Sequence, residues 1–157
     1  MPQSEKTRLA AVMHVVYDYV NLVSAGELVQ TALPPRVNSH VQHTFLMSCR
    51  VIGDFFEGRG GADDIKASDF LRRLCRFPLP TWKSWRNHMN KQHLHLTYAR
   101  VQNKRSWIGG QVNKQFLQEM QACWRIFLSK LEEPFKSEFE TQITKKEQSE
   151  FKACNLR

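Results

Sequence analysis

The sequence predicts an all-α protein: an antiparallel bundle of four main helices with additional short helices, in a single domain that spans residues 1–157. Apolar residues recur at spacings of three and four through most of the chain, as on one face of a helix. No convincing run alternates between apolar and polar residues, as a strand would. Hydrophobic types make up 41% of the 157 residues and charged types 24%, which is typical of a globular domain with one core. Short connections between the helices favour antiparallel neighbours.

The first two helices are separated by a pair of prolines. The first is predicted to begin near Thr7, a good N-cap residue, and to reach Ala32 before Pro34 and Pro35 stop it. The second is predicted to start at Pro35, because proline suits a first helical turn. It carries a regular apolar stripe and ends at the glycine-rich segment 58–61.

A short helix with Ser68 as its cap is predicted over Ser68–Leu74, followed by a firm break at Pro78–Pro80. The third main helix is then predicted from the cap residue Thr81 to about Val101. The residues that follow, Asn103–Gly110, read as a basic loop.

The fourth main helix is predicted over Gln111–Glu133, where Pro134 ends or kinks it. A last helical segment with apolar residues at Phe135, Phe139 and Ile143 follows. We expect it to fade into a polar C-terminal tail from about residue 145.

The cysteines and the hydropathy indicate the class of compartment. The four cysteines lie far apart without a C-x-x-C pair, and Cys49 and Cys123 fall within apolar helical patterns. These features predict reduced, buried thiols. No continuous apolar run reaches the roughly 18 residues of a membrane span, and the polar N-terminus does not read as a secretory signal. We therefore expect a cytoplasmic protein without a membrane partner.

Charge is distributed unevenly along the chain. The formal net charge is +8, yet residues 70–118 contain ten lysines and arginines and no acidic residue. The other residues of the chain therefore carry a formal net charge of −2. Such a block creates a positive field that attracts polyanions. RNA or another polyanion is the predicted partner, and an acidic protein is the alternative. The predicted nucleic-acid-binding residues are the basic residues Arg72, Arg73, Arg76, Arg100, Lys104 and Arg105, with Trp107 in the basic loop.

The third helix carries the most distinctive pattern. At 100° per residue, Trp82 and Trp85 share a face that we expect to pack in the core, and a stripe with Arg86, Asn90 and His93 lies beside it. Arginine offers a fork of donors for phosphate, and histidine exchanges protons near neutral pH. Together they would position an RNA phosphate and move a 2′-hydroxyl proton without a metal. The alternative is that these polar groups satisfy each other or face water.

The run from Trp85 to His93 places six residues between Arg86 and His93 and has Asn directly after the arginine. It resembles the R-x(4–6)-H signature of HEPN-domain proteins. The resemblance implies an all-α homodimer with two copies of the motif in a shared cleft. It also implies metal-independent RNA cleavage, in toxin–antitoxin or phage-defence settings, or an inactive binding module. In an active member Arg86 would orient phosphate, Asn87 would support it, and His93 would transfer the proton.

A second register of the same signature stays open. Shifted by four residues, the segment reads Asn90, Lys91 and, after three further residues, His95. This register puts asparagine where the arginine is expected and makes His95 a rival to His93. It implies a degenerate, inactive site. The surrounding stretch also resembles uncharacterised bacterial proteins, which adds no function.

Other reaction chemistries lack their sequence patterns. The histidines at 88, 93 and 95, and the pair at 40 and 43, do not form an H-E-x-x-H motif, so we expect no metal. No nucleophile elbow or phosphate loop is present in the sequence, and we expect no cofactor. The sequence thus predicts a HEPN-like RNA-binding protein that is either an endoribonuclease or inactive. The alternative is a non-catalytic helical module that docks an acidic partner or nucleic acid through its basic face.

Overall fold

A computed structural model describes residues 3–89 and 110–155, and all regular secondary structure within these two ranges is helical. This confirms the all-α prediction. Five α-helices are present in the described ranges, with one turn of 3₁₀ helix at Ala67–Asp69 between the second and the third. The helices are α1 (Glu5–Leu28), α2 (Pro35–Glu57), α3 (Pro80–Met89), α4 (Gly110–Lys130) and α5 (Phe135–Asn155).

The ends of α1 and α2 follow from local capping. Ser4, not Thr7, is the N-cap of α1, because its Oγ accepts the backbone N–H of Thr7 at 3.2 Å. The prediction placed the cap three residues too late, and it also placed the end of α1 beyond Leu28. Helix α2 begins at Pro35 as predicted and ends at Glu57, followed by the C-cap Gly58, which adopts a left-handed φ of 67°.

The predicted helix over Ser68–Leu74 was wrong in its extent, since only Ala67–Asp69 is helical. Long-range and local hydrogen bonds fix this turn instead. Arg8 donates from Nη1 to the Asp69 carbonyl at 2.6 Å, and the Asp69 carboxylate accepts the backbone N–H of Lys66 at 2.8 Å. The Asp69 carbonyl is therefore held by a side chain of α1 rather than by a following helical turn.

The later helices also differ from the prediction at their ends. Helix α3 begins at Pro80, one residue before the predicted Thr81, and its predicted continuation to Val101 lies outside the described residues. Helix α4 ends at Lys130 rather than at Glu133. Helix α5 continues to Asn155, so the predicted polar tail from about residue 145 is helical, consistent with its many lysine, glutamine and glutamate residues.

The core is built from aromatic side chains of several helices. Helix α1 packs against α2, α4 and α5, and α3 packs against both α4 and α2. Phe127 of α4 lies near the middle of the aromatic cluster, with ring centroids 5.3 Å from Phe55, 5.2 Å from Phe139 and 5.7 Å from Trp124. Most ring pairs in this cluster meet edge to face, and such pairs stabilise a fold by more than the apolar area that they bury.

Helix α3 approaches α2 closely at one point. Trp82 is fully buried, and its indole lies so near Gly53 of α2 that a Cβ at position 53 would overlap the ring. Trp85, one turn later, is half-buried against the same core. The prediction that both tryptophans face the core is therefore confirmed. This contact sets the position of Arg86, which follows one turn after Trp82.

Two predicted buried thiols are found in the core. Cys49 and Cys123 are both fully buried and unpaired. The Sγ of Cys123 donates to the Pro78 carbonyl at 3.5 Å. Burial raises the pKa of the Cys49 thiol and brings that of Cys123 to about 12, so neither is a reactive thiolate at neutral pH.

Helix α1 has the length and apolar composition that a membrane-crossing helix needs. Small and polar residues interrupt the apolar residues of α1, so its sequence contains no continuous apolar run of that length. The core helix of a soluble protein has the same properties, and 33% of the relevant stretch of α1 is buried inside the protein.

Candidate functional site

Arg86 is held in place by the first turn of α3. The backbone N–H groups of Thr81 and Trp82 donate to the two carboxylate oxygens of Glu119 on α4, at 2.8 and 3.1 Å. A carboxylate at a helix N-terminus satisfies donors that have no partner within the helix and interacts favourably with the helix dipole. The buried Trp82 fixes the rotation of α3, so that Arg86 reaches the C-terminal half of α2.

Two carboxylates of α2 receive the Arg86 guanidinium. Its Nε and one of its terminal nitrogens each lie 2.9 Å from Asp54 Oδ1, and Nε lies 3.7 Å from Glu57 Oε2. The side chains of Arg86 and Glu57 are only 18% and 5% exposed. Ion pairs that are shielded from water in this way are screened less than pairs on the surface.

Two further arginines complete this cluster, which we call the Arg86 cluster: Arg50, Asp54, Glu57, Arg59 and Arg86. The Arg59 Nε lies 3.0 Å from Glu57 Oε2, and the Arg50 Nε lies 3.8 Å from Asp54 Oδ2. Arg50 and Asp54 lie four residues apart on α2, a spacing at which oppositely charged side chains on a helix can pair. Three guanidinium groups face two carboxylates, so the cluster carries one net positive charge.

A cleft of about 510 Å³ opens beside the Arg86 cluster. One wall is the α2 surface with Arg50 and Asp54, and another is the α1 surface with His14 and Asp18. Burial raises the pKa of the half-buried Asp18 carboxyl, and the charge of His14 opposes that rise. The walls thus combine cationic and anionic groups, and sequence reasoning did not predict the cleft.

The loop that follows α2 forms a further wall of the cleft. The Asp64 carboxylate accepts the backbone N–H of Gly61, and a Cβ at Gly60, where φ is +117°, would overlap the Asp64 side chain. Glycine is therefore required at position 60 for this turn. Arg59, Asp63 and Asp64 are exposed, so the mouth of the cleft is polar.

The structure describes only part of the predicted catalytic motif. Arg86 lies in the cluster, and Asn87 is exposed at the next position of α3. The predicted partner His93 lies outside the described residues, as do the residues of the alternative register, Asn90, Lys91 and His95. Within the described ranges, no group of three metal-ligating side chains is present.

Most cations in the described part of the basic block are exposed. Arg72 forms an ion pair with Glu132, with Nε and Oε2 2.9 Å apart, so its charge is partly neutralised. Four other block residues are exposed and make no ion pair with any described residue: Arg73, Arg76, Lys83 and Lys114. We call these four residues the basic surface. The remaining predicted contacts lie outside the described residues: Arg100, Lys104, Arg105 and Trp107.

Comparison of the chain with protein-family models, with curated proteins and with solved structures finds no match.

Proposed function

We propose that this protein is an RNA-binding helical module with a HEPN-like antiparallel arrangement of four main helices, acting as a homodimer. The observation that carries the proposal is the basic surface: exposed cations, without ion pairs to described residues, in a block that contains no acidic residue. Phosphate groups of RNA suit such a surface, because each contact releases condensed counterions. The setting implied by the resemblance is phage defence or a toxin–antitoxin pair.

The Arg86 cluster supports a positioning role for Arg86. Asp54 engages Nε and one terminal nitrogen, and the cluster holds the guanidinium at the edge of the cleft. In the nuclease form of the proposal, the other terminal nitrogen of Arg86 donates a hydrogen bond to the RNA phosphate, and His93 accepts the 2′-hydroxyl proton. The pairing with Asp54 would keep the guanidinium oriented, as second partners do in other sites.

A non-catalytic binding module is the second candidate. The same pairing favours it, because Asp54 already lies within 2.9 Å of two of the three guanidinium nitrogens that could otherwise donate to phosphate. In this form the basic surface binds RNA or an acidic protein, and the Arg86 cluster only stabilises the fold.

The binding part of the proposal is tested with a single-stranded RNA oligonucleotide and charge-removal variants. The triple variant Arg73→Ala/Arg76→Ala/Lys83→Ala should bind at least tenfold more weakly than the natural chain at 0.1 M salt. A control variant removes three exposed lysines outside the block: Lys130→Ala/Lys136→Ala/Lys145→Ala. It carries the same net charge and should bind nearly as well as the natural chain. Equal losses in both triple variants would show that only net charge matters and would contradict the proposed surface.

The cleavage part is tested separately, with EDTA present. The natural chain is compared with Arg86→Ala and His93→Ala, each first shown to be folded by circular dichroism. Lys136→Ala is the control, because it removes an exposed cation that belongs neither to the Arg86 cluster nor to the basic block. Cleavage that is lost in the first two variants and retained in the third supports the nuclease form. A natural chain that binds a broad set of RNAs and leaves them intact refutes it.

A further inference from the structure

The most exposed large apolar side chain among the described residues belongs to a basic loop. Leu74 is 94% exposed, whereas the next such residue, Tyr17, is 54% exposed. It lies in the irregular segment between the 3₁₀ turn and α3, and its neighbours Arg73 and Arg76 are exposed as well. Exposing an apolar side chain to water costs free energy, and a binding partner that covers Leu74 would recover that free energy.

The loop that carries Leu74 is fixed at both ends. On one side Phe70 is buried against Phe135 and Phe139, with both pairs of ring centroids 5.4 Å apart. On the other side Phe77 is buried against Phe56, at 4.7 Å. The ion pair between Arg72 and Glu132 adds a further contact at the base of the loop. Both ends of the loop are therefore anchored in the core, which limits the conformational entropy that the loop would lose on binding.

We propose that Leu74 is an apolar wedge that enters between two stacked bases of RNA, while Arg73 and Arg76 contact the flanking phosphates. This inference rests on the proposed RNA-binding function and adds the mode of contact. Leucine is one of the side chains that DNA-binding proteins insert between base steps of a duplex, where the partial unstacking is offset by the new contacts.

The surroundings of Leu74 favour RNA over a protein partner. A stable protein interface buries roughly 800 Å² on each side and has an apolar centre. Here the single apolar tip stands among charged residues, and no acidic residue occurs anywhere in residues 70–118. A wedge between bases requires only one apolar side chain together with cations for the adjacent phosphates.

The test uses RNA with 2-aminopurine inside a run of adenosines, since the fluorescence of this base rises when it unstacks. The natural chain should raise the fluorescence on binding. Leu74→Ser keeps every charge and removes a side chain without core contacts, so it should fold normally, bind about tenfold more weakly and give no rise. The matched control is Leu28→Ser, because Leu28 is also exposed, at 47%, and terminates α1. It should behave as the natural chain does.

Three results would overturn the wedge. The natural chain could bind the RNA without a fluorescence rise, or Leu74→Ser could give the same rise and affinity as the natural chain. Either result would leave RNA binding intact and refute the insertion of Leu74 between bases. Absence of RNA binding by the natural chain would refute the proposed function itself, and the wedge with it.

Discussion

The ion pair between Arg86 and Asp54 should make a measurable contribution to stability. Two nitrogens of Arg86 lie 2.9 Å from the same carboxylate oxygen, in side chains that are 18% and 24% exposed. Hydrogen bonds between charged groups contribute about 1.5–3 kcal/mol each, and partial exposure reduces this value. We therefore expect a coupling free energy of about 1.5 kcal/mol between the two residues.

The single variants should lower the free energy of unfolding by different amounts. Arg86→Ala removes a cation from two carboxylates, and Glu57 then stays buried with Arg59 alone, so we expect a loss of about 2–3 kcal/mol. Asp54→Ala should cost less, because Arg86 keeps Glu57 within 3.7 Å. Arg72→Ala is a useful control, because the side chains of Arg72 and its partner Glu132 are 81% and 53% exposed, and the loss of this surface pair should cost under about 1 kcal/mol.

The assay is urea unfolding followed by tryptophan fluorescence, applied to both single variants and the double variant. The free energies of unfolding from the four proteins form a double-mutant cycle. A coupling below about 0.3 kcal/mol, the usual error of additivity, would refute the inference that Asp54 holds Arg86.

Three further changes test the packing and the buried titratable groups. Gly53→Ala should lower the free energy of unfolding by about 2 kcal/mol or more in the same urea assay, because the new methyl group overlaps the Trp82 indole. Asp18→Asn should raise the melting temperature at pH 7 and have no effect below pH 3.8, the ordinary pKa of an aspartate. Burial raises the pKa of Asp18 in the folded state, so ionisation of this carboxyl lowers the stability of the natural chain as the pH rises above 3.8. At pH 8, alkylation followed by peptide mass spectrometry should modify the partly exposed Cys75 and spare Cys123, whose pKa of about 12 keeps it protonated; equal labelling of both in the native protein would contradict the burial of Cys123.

The hydropathy pattern predicted the helices better than it predicted their ends. The apolar stripe of α2 and the glycine at 58 together define that helix, because both signals are local. The short turn at Ala67–Asp69 could not be predicted in the same way. Its length depends on the hydrogen bond from Arg8 to Asp69, which joins residues 61 positions apart.

The candidate site, like the fold, could be predicted only where the sequence signal is local. The position of Arg86 beside a core-facing stripe followed from helical periodicity, which is a local signal. The contact between Arg86 and Asp54 spans 32 positions and leaves no periodic signal in one sequence. The cleft was missed for a related reason, because its walls come from α1, α2 and α3 and from the loop after α2.

The most direct test of RNA binding through the basic surface is the salt dependence of the affinity for single-stranded RNA. For single strands the slope of log K against log salt is about −0.7 for each phosphate contact. The variant Arg73→Ala/Arg76→Ala should therefore reduce the magnitude of the slope by about 1.4, and the control Lys136→Ala/Lys145→Ala should leave it unchanged. An affinity that does not vary with salt, or equal slopes for the natural chain and the Arg73/Arg76 variant, would contradict RNA binding through this surface.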